Sequence, residues 1–203
     1  GINAQIDNAV NTQQVYTIGP SIPNRWVAVG LADDGNFSYS SDGIHWKKIL
    51  NSGGFFSQGL GIAWNGIMWV VVGEAGSATI AYSLNGINWN AAINSIDIFD
   101  IAGRSIAWNG AMWVAVGQGT NNTIAYSIDG IHWTGVANSV SLFESANCVA
   151  WNGNVWLVGG AGANSIAYSM DGINWVGIGA FDIAPYCLAW NGNIWVSGGS
   201  SVH

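Results

Sequence analysis

Tryptophan recurs along this chain with one fixed spacing in three separate registers. One series steps by 43, 44 and 42 residues, and two others step by 43, 44, 43 and 39 and by 44, 43 and 39. The three series are Trp46, Trp89, Trp133 and Trp175; Trp26, Trp69, Trp113, Trp156 and Trp195; and Trp64, Trp108, Trp151 and Trp190. A shared period restricts the chain to repeat architectures, so the unit has to be interpreted before the whole.

Residues 105–133 show the unit in full and predict four short strands. Ser-Ile-Ala-Trp is closed by Asn109-Gly110, which is a strong signal for a hairpin turn because both residues tolerate positive φ, and Met-Trp-Val-Ala-Val follows. Thr-Ile-Ala-Tyr-Ser follows a polar loop, and Asp129-Gly130 is the second predicted turn, before a strand that begins Ile-His-Trp. No window keeps helical spacing over ten residues.

Four antiparallel strands repeated every ~40–45 residues are typical of β-propeller blades. The second strands are nearly continuous apolar runs, as expected of sheets covered on both faces, and tryptophan rings suit the wedge between twisted sheets. The predicted fold class is therefore all-β, a β-propeller of four-stranded antiparallel blades forming one domain over residues 1–203. A solenoid of β-arches is the alternative, but the two Asn/Asp-Gly hairpins per unit argue against it.

Five blades are predicted, the last built from both ends of the chain. They lie at about 16–50, 60–95, 104–138, 147–179, and 187–203 together with an N-terminal strand at 1–10. The N-terminal Gly-Ile-Asn resembles the tripeptide that opens fourth strands elsewhere, and propellers commonly close through a composite blade. The alternative is part of a larger propeller, completed by further chain or by a second copy in a homo-oligomer.

The charge balance argues against nucleic acid and anionic membranes as partners. Four lysines and arginines stand against eleven aspartates and glutamates. The cations, Arg25, Lys47, Lys48 and Arg104, form no basic stripe that could neutralise phosphates. No apolar run reaches 18 residues, so no membrane insertion is predicted.

Cys148 and Cys187 occupy the same repeat position, each three residues before a first-strand tryptophan. Equivalent positions on neighbouring inner strands are expected to lie beyond the Cα separation of ~4.4–6.8 Å that a disulfide requires. We therefore predict two free, buried thiols. Localisation stays open: the extracellular surface or a virion is the expectation, and free thiols are also compatible with the cell interior.

The sequence offers no candidate residues for a catalytic, metal-binding or cofactor-binding site. No His/Cys/carboxylate cluster has metal spacing, no glycine-rich loop opens a helix, and no base accompanies a nucleophile. His45 and His132 share a position that other units fill with Asn88 and Asn174, which indicates an exposed polar site. We predict no cofactor, no metal and no enzymatic activity; an enzyme with paired carboxylates from different loops is the weaker alternative.

One face of the predicted blades carries variable loops, which marks it for binding. The connection between strands 2 and 3 of a blade (2–3) and the connection from strand 4 to strand 1 of the next blade (4–1) share this face. Each 4–1 connection has a phenylalanine followed by Ser, Asp or Glu. The candidate ligand-binding residues are Phe99, Asp100, Phe143, Glu144, Phe181 and Asp182, with Phe56 and Ser57 in the corresponding earlier position. Aromatic rings stack on the apolar faces of sugars, which favours a glycan ligand. The alternative is that each ring plugs the gap between blades and the acid faces solvent.

Ser127, Asp129, Gly130 and Trp133 form a Ser-x-Asp-Gly-Ile-x-Trp motif that resembles the Asp-box of sialidase-like propellers. The motif departs from that box by lacking the residue between Asp and Gly, and Asn85 replaces the aspartate in one unit. The box is a structural turn in that family, so the resemblance implies a fold and not a chemistry.

The unit as a whole, over residues 25–199, is similar to tandem repeats in uncharacterised proteins of giant DNA viruses and some bacterial surface proteins. Sialidases hold their substrate with three arginines, and this chain has only Arg25 and Arg104. The expected function is a non-enzymatic, lectin-like module that binds glycans through its 2–3 and 4–1 loops. The alternative is a structural or interaction domain of a virion or cell-surface assembly, with protein partners and no small ligand.

Overall fold

The computed structural model describes residues 25–31, 36–50 and 54–201. The strand predicted at 1–10 and the start of the first blade at 16–24 lie outside these residues. Within the described residues the chain consists almost wholly of antiparallel β-strands, with two helices of four residues each. This confirms the prediction of an all-β fold with antiparallel sheets, and the arrangement is compatible with a β-propeller.

The strands follow one another in five successive units. The first unit contains β1 (Trp26–Val29), β2 (Phe37–Ser40) and β3 (Trp46–Ile49). The second contains β4 (Phe56–Trp64), β5 (Trp69–Ala75), β6 (Ile80–Ser83) and β7 (Asn90–Ala91), and the third contains β8 (Ala102–Trp108), β9 (Trp113–Gln118), β10 (Ile124–Ser127) and β11 (Thr134–Gly135). The fourth contains β12 (Ser145–Trp151), β13 (Trp156–Ala161), β14 (Ile166–Ser169) and β15 (Val176–Gly177), and the fifth contains β16 (Ile183–Trp190) and β17 (Trp195–Ser201).

Neighbouring units touch through their first strands. The strands β4, β8, β12 and β16 each contact the next of the series. A single residue pair, Glu74 with Ala102, joins β5 to β8, so the second and third units form one curled sheet. The first strands therefore lie on the inside of the curve, and the fourth strands lie on the outside.

Two short helices occupy the connections from a fourth strand to the next first strand. They are α1 (Ser95–Ile98) and α2 (Ser139–Leu142). Asn94 and Asn138 precede them with left-handed backbone φ of 56° and 60°, a conformation that asparagine tolerates better than most residues. Sequence analysis missed both helices because one turn is too short for helical periodicity to show.

The first hairpin turn is longer than predicted in the second to fifth units, where it is described. Trp108 pairs directly with Trp113, so four residues form the turn where two were expected. The side chain of Asn109 accepts the backbone N–H groups two and three residues later, at 2.9 and 2.8 Å. Gly110 has a φ of 101°, whereas the asparagine keeps a negative φ and closes the turn with its side chain.

The second turn spans residues 128–133 and is likewise not a two-residue hairpin. Asp129 Oδ1 accepts two backbone N–H groups at 2.8 Å, and Ser127 Oγ accepts the Gly130 N–H at 2.8 Å. Trp133 Nε1 donates to the Gly130 carbonyl at 3.2 Å. Serine, aspartate, glycine and tryptophan thus hold the turn together through their side chains and backbone.

Side chains alternate between two separate cores along β5 and β9, the second strands of the second and third units. On β9, Trp113 and Ala115 pack with Val70 of the second unit, whereas Val114 packs with Trp156 of the fourth. The same alternation on the second and third units places an apolar core between every pair of neighbouring units from the first to the fourth. The units are therefore stabilised chiefly by burial against each other.

Removing the indole of Trp113 should open a cavity between the second and third units, because the side chain is fully buried. We expect Trp113→Ala to lower the free energy of unfolding by about 3–5 kcal/mol, measured by urea denaturation. Ile128→Ala serves as the control, because Ile128 is exposed on a turn. A Trp113→Ala midpoint equal to that of the parent would place this indole outside the inter-unit core.

Glycine substitutions in the two turns separate backbone strain from packing. Gly110 and Gly130 both have positive φ, but a Cβ at Gly110 would meet no atom within 4 Å. A Cβ at Gly130 would lie 3.1 Å from Met68, Val70 and Trp113. Gly110→Ala should cost about 1–2 kcal/mol from strain alone, and Gly130→Ala should cost about 1–3 kcal/mol more from overpacking. Equal losses in urea denaturation would show that the second turn does not press into the neighbouring unit.

Candidate functional site

The phenylalanines predicted to bind ligand differ in exposure. Phe56, Phe99 and Phe143 are fully buried, and the last two directly follow α1 and α2 and pack into the cores between units. Phe181 is 47% exposed. The three buried rings fill the gaps between units, as the alternative interpretation expected, and only Phe181 presents a ring face to solvent.

Two carboxylates of the same connections, Asp100 and Glu144, lie beside the loops between second and third strands, as the predicted topology requires. Asp100 accepts the Thr120 hydroxyl at 2.6 Å and the Thr120 N–H at 2.7 Å, and these hydrogen bonds lower the pKa of the Asp100 carboxyl. The Glu144 N–H donates to the Ala161 carbonyl at 2.8 Å, and its side chain is exposed, as is that of Asp182. Asp100 therefore braces a loop, whereas Glu144 and Asp182 face solvent.

The Asp-box-like turns are structural. Asp171 accepts the N–H groups of Ile173 and Asn174 at 2.9 and 2.7 Å, and its second oxygen accepts the Asn174 side chain at 2.8 Å. The backbone N–H of Asn174 contributes most to a strongly lowered pKa of Asp171. Asn85 accepts the same two backbone bonds at 2.9 and 2.8 Å in the second unit, so the turn does not require a charge.

The two histidines belong to these turns. His45 Nδ1 lies 2.7 Å from Asp42 Oδ2, and His132 Nδ1 lies 2.8 Å from Asp129 Oδ2. Both side chains are largely exposed. This agrees with their interpretation as surface polar residues that replace asparagine in the turn.

The lowered pKa of Asp171 predicts a loss of stability in acid. A carboxyl whose pKa is lower in the folded than in the unfolded chain stabilises the fold above the unfolded pKa of about 3.9, and this contribution disappears as the pH falls below it. Asp171→Asn should therefore make the melting temperature less dependent on pH between about 4 and 2 while changing stability near neutral pH by no more than about 0.5 kcal/mol. The measurement is thermal unfolding by circular dichroism across that range, and Asp97→Asn is the control. If the melting temperature of Asp171→Asn varied with pH as steeply as that of the parent, the contribution assigned to the Asp171 carboxylate would be wrong.

An open cleft lies at the outer edge of the interface between the third and fourth units. Its volume is about 510 Å³, within the range of small-ligand sites. One wall is formed by β10, β11 and α2, and the other by the second turn of the fourth unit. The residues that define its chemistry are Tyr126, Ala137, Asn138, Ser141, Asn174 and Trp175.

The cleft combines aromatic surface with uncharged hydrogen-bonding groups. Tyr126 and Trp175 are both partly exposed, and Asn138, Asn174 and Ser141 supply amide and hydroxyl groups. None of its lining residues carries a charge. Such a surface suits a neutral ligand that has both an apolar face and hydroxyl groups.

Sequence analysis did not find this cleft. Its two walls come from different units, and Trp175 is more exposed than Trp133, which holds the same position in the preceding unit. The identical motif around both tryptophans gives no signal that one is open to solvent and the other is not. The variable residues 137–141 of the fourth-to-first connection were the available clue.

The described part of the chain holds no group of three His, Cys, Asp or Glu side chains that could bind a metal ion. Both described helices are single turns, so none in this part of the chain reaches across a bilayer.

Cys148 and Cys187 are free, as predicted. Cys148 is buried, which raises the pKa of its thiol to about 12. Cys187 is only half-buried, so the prediction of burial was wrong for this thiol; among the described residues, no further unit packs on the last hairpin. A scan against protein-family models and a search of curated proteins found no match.

Proposed function

We propose that this protein is a non-enzymatic binding module that recognises neutral carbohydrate. The observation that carries the proposal is the uncharged cleft in which Trp175 and Tyr126 lie beside amide and hydroxyl groups. A pyranose ring has an apolar C–H face that packs on an aromatic ring and hydroxyl groups that bond to amides. Individual sites of this kind bind weakly, and several sites in one molecule or assembly strengthen the binding together.

The exposed loop residues extend this proposed binding surface. Phe181, Glu144 and Asp182 face solvent, and they are the members of the predicted set that can contact a ligand directly. Phe99 and Phe143 support the surface from within the inter-unit cores. In this proposal the loops contact the carbohydrate, as predicted. The cleft provides the aromatic stacking surface that the buried rings of Phe99 and Phe143 do not.

The absence of enzymatic activity remains part of the proposal, and the arginines support it. Arg25 donates to the Asn85 carbonyl and lies over Tyr39, and Arg104 donates to Gln118 at 2.8 Å and to Asn147 of the fourth unit at 3.4 Å. Each arginine therefore braces the fold at a separate interface. A carboxylate-binding cluster of the sialidase type would require such side chains to converge.

We further propose that the units close into a five-bladed propeller whose last blade includes both chain ends. The apolar faces at the two ends support this. Val196 on β17 is 57% exposed, whereas Val70 and Val114 are buried at the same repeat position between units. Trp46 is exposed on the first unit, whereas its counterpart Trp133 is buried. Closure would cover both faces with the kind of contact that the inner units already make.

A second candidate is a structural or interaction domain of a virion or cell-surface assembly. The burial of Phe56, Phe99 and Phe143 favours it, because these repeated aromatics serve packing. The low content of charged residues and the exposed apolar end faces also suit a protein that assembles with others.

A glycan array tests the proposal, with each variant first checked for parental thermal unfolding. Trp175→Ala should abolish binding because it removes the stacking surface, and Tyr186→Ala should not, because Tyr186 is an exposed aromatic outside the cleft. Phe181→Ser should weaken binding if the loop surface contributes.

The outcomes separate the candidates. A blank array from folded protein would reject carbohydrate recognition in favour of the interaction domain. Binding that survives Trp175→Ala but is lost in Phe181→Ser would move the site from the cleft to the loops.

A further inference from the structure

The interface that precedes the cleft is built from the same elements, but its tryptophan is more deeply buried. Trp133 is 8% exposed there, and its counterpart Trp175 is only partly buried. Ile131 is likewise half-buried, whereas Ile173 is 42% exposed. Gly130 and Gly172 approach the preceding unit equally closely, so the difference is confined to the part of the turn that holds Ile173 and Trp175.

A backbone contact closes the earlier interface. The Ile93 N–H donates to the Ile131 carbonyl at 2.9 Å, and Ile93 and His132 form an isolated parallel bridge. Ala137 and Ile173 hold the corresponding positions at the later interface. Among the described residues, the equivalent bond between these two does not form.

The residue at this one position differs in size where the surrounding backbone is the same. Asn94 and Asn138 follow it with nearly equal left-handed φ, and a one-turn helix comes next in both units. Isoleucine carries three more carbons than alanine, and Ile93, which is 47% exposed, lies beside the turn to which its backbone bonds. The larger side chain adds apolar surface next to that turn, and partial burial of that surface favours a closed interface.

We infer that the residue at position 137 determines whether an inter-unit cleft is open for ligand, and that Ile93 keeps an equivalent second site closed. The inference rests on the proposed function for its ligand class, a neutral carbohydrate. In the closed site, Trp133 replaces Trp175 as the stacking surface, and Asn94 and His132 replace the amides of the open cleft. The fold therefore holds one open site and one latent site of the same construction.

Hydroxyl-radical footprinting with mass spectrometry tests this without any ligand, since it measures the labelling rate of each tryptophan. In the parent, Trp175 should be labelled several-fold faster than Trp133. Ala137→Ile should slow the labelling of Trp175 to the rate of Trp133, and Ile93→Ala should raise the rate of Trp133. Val140→Ala is the matched control, because Val140 is exposed on α2 and does not line the cleft.

Equal rates in the parent, or an Ala137→Ile variant whose Trp175 rate is unchanged, would overturn the inference. The two proposals fail separately. A blank glycan array with the expected labelling rates rejects carbohydrate recognition and upholds the control by position 137. Glycan binding that persists in Ala137→Ile, with Trp175 shielded, places the glycan site elsewhere and overturns the cleft as the ligand site.

Discussion

The structure depends on the burial of both faces of each small sheet. A unit of four short strands cannot cover its own faces, so alternate side chains of β5 and β9 enter two different cores. Trp113 and Val114 are adjacent in sequence yet stabilise contacts with opposite neighbours. Stability is therefore a property of pairs of units, and the first and last units each keep one apolar face uncovered in the described structure.

The turns connect this long-range packing to local chemistry. Gly130 adopts a positive φ inside a turn closed by Ser127 and Asp129, and its missing side chain leaves room for Met68 and Val70 of the neighbouring unit. Local folding of the turn thus shapes the surface that the next unit contacts. A motif that resembles the Asp-box is used here for assembly of the units, and its charged residue is replaceable, as Asn85 shows.

Much of the fold could be predicted from the sequence, because the tryptophan period and the apolar strands repeat a signal several times. The lengths of the turns could not, since the hydrogen bonds of Asn109 and Asp129 to later N–H groups close longer turns than the dipeptides suggest. The phenylalanines of the candidate site left two interpretations open, and burial of Phe99 and Phe143 favours packing. The cleft is lined by residues of two units and of a variable connection, which no periodic pattern reports.

The modular contact between units has a consequence for how such a protein can change over generations. Each internal interface joins the same two faces of neighbouring sheets. Duplicating the coding segment for one unit therefore adds a unit that packs on its neighbours with the side chains it already has. Each added unit also carries its own version of the residue held by Ile93 and Ala137. Point mutation of a single codon in each copy would then set the number of working sites, so valency could evolve independently of the scaffold.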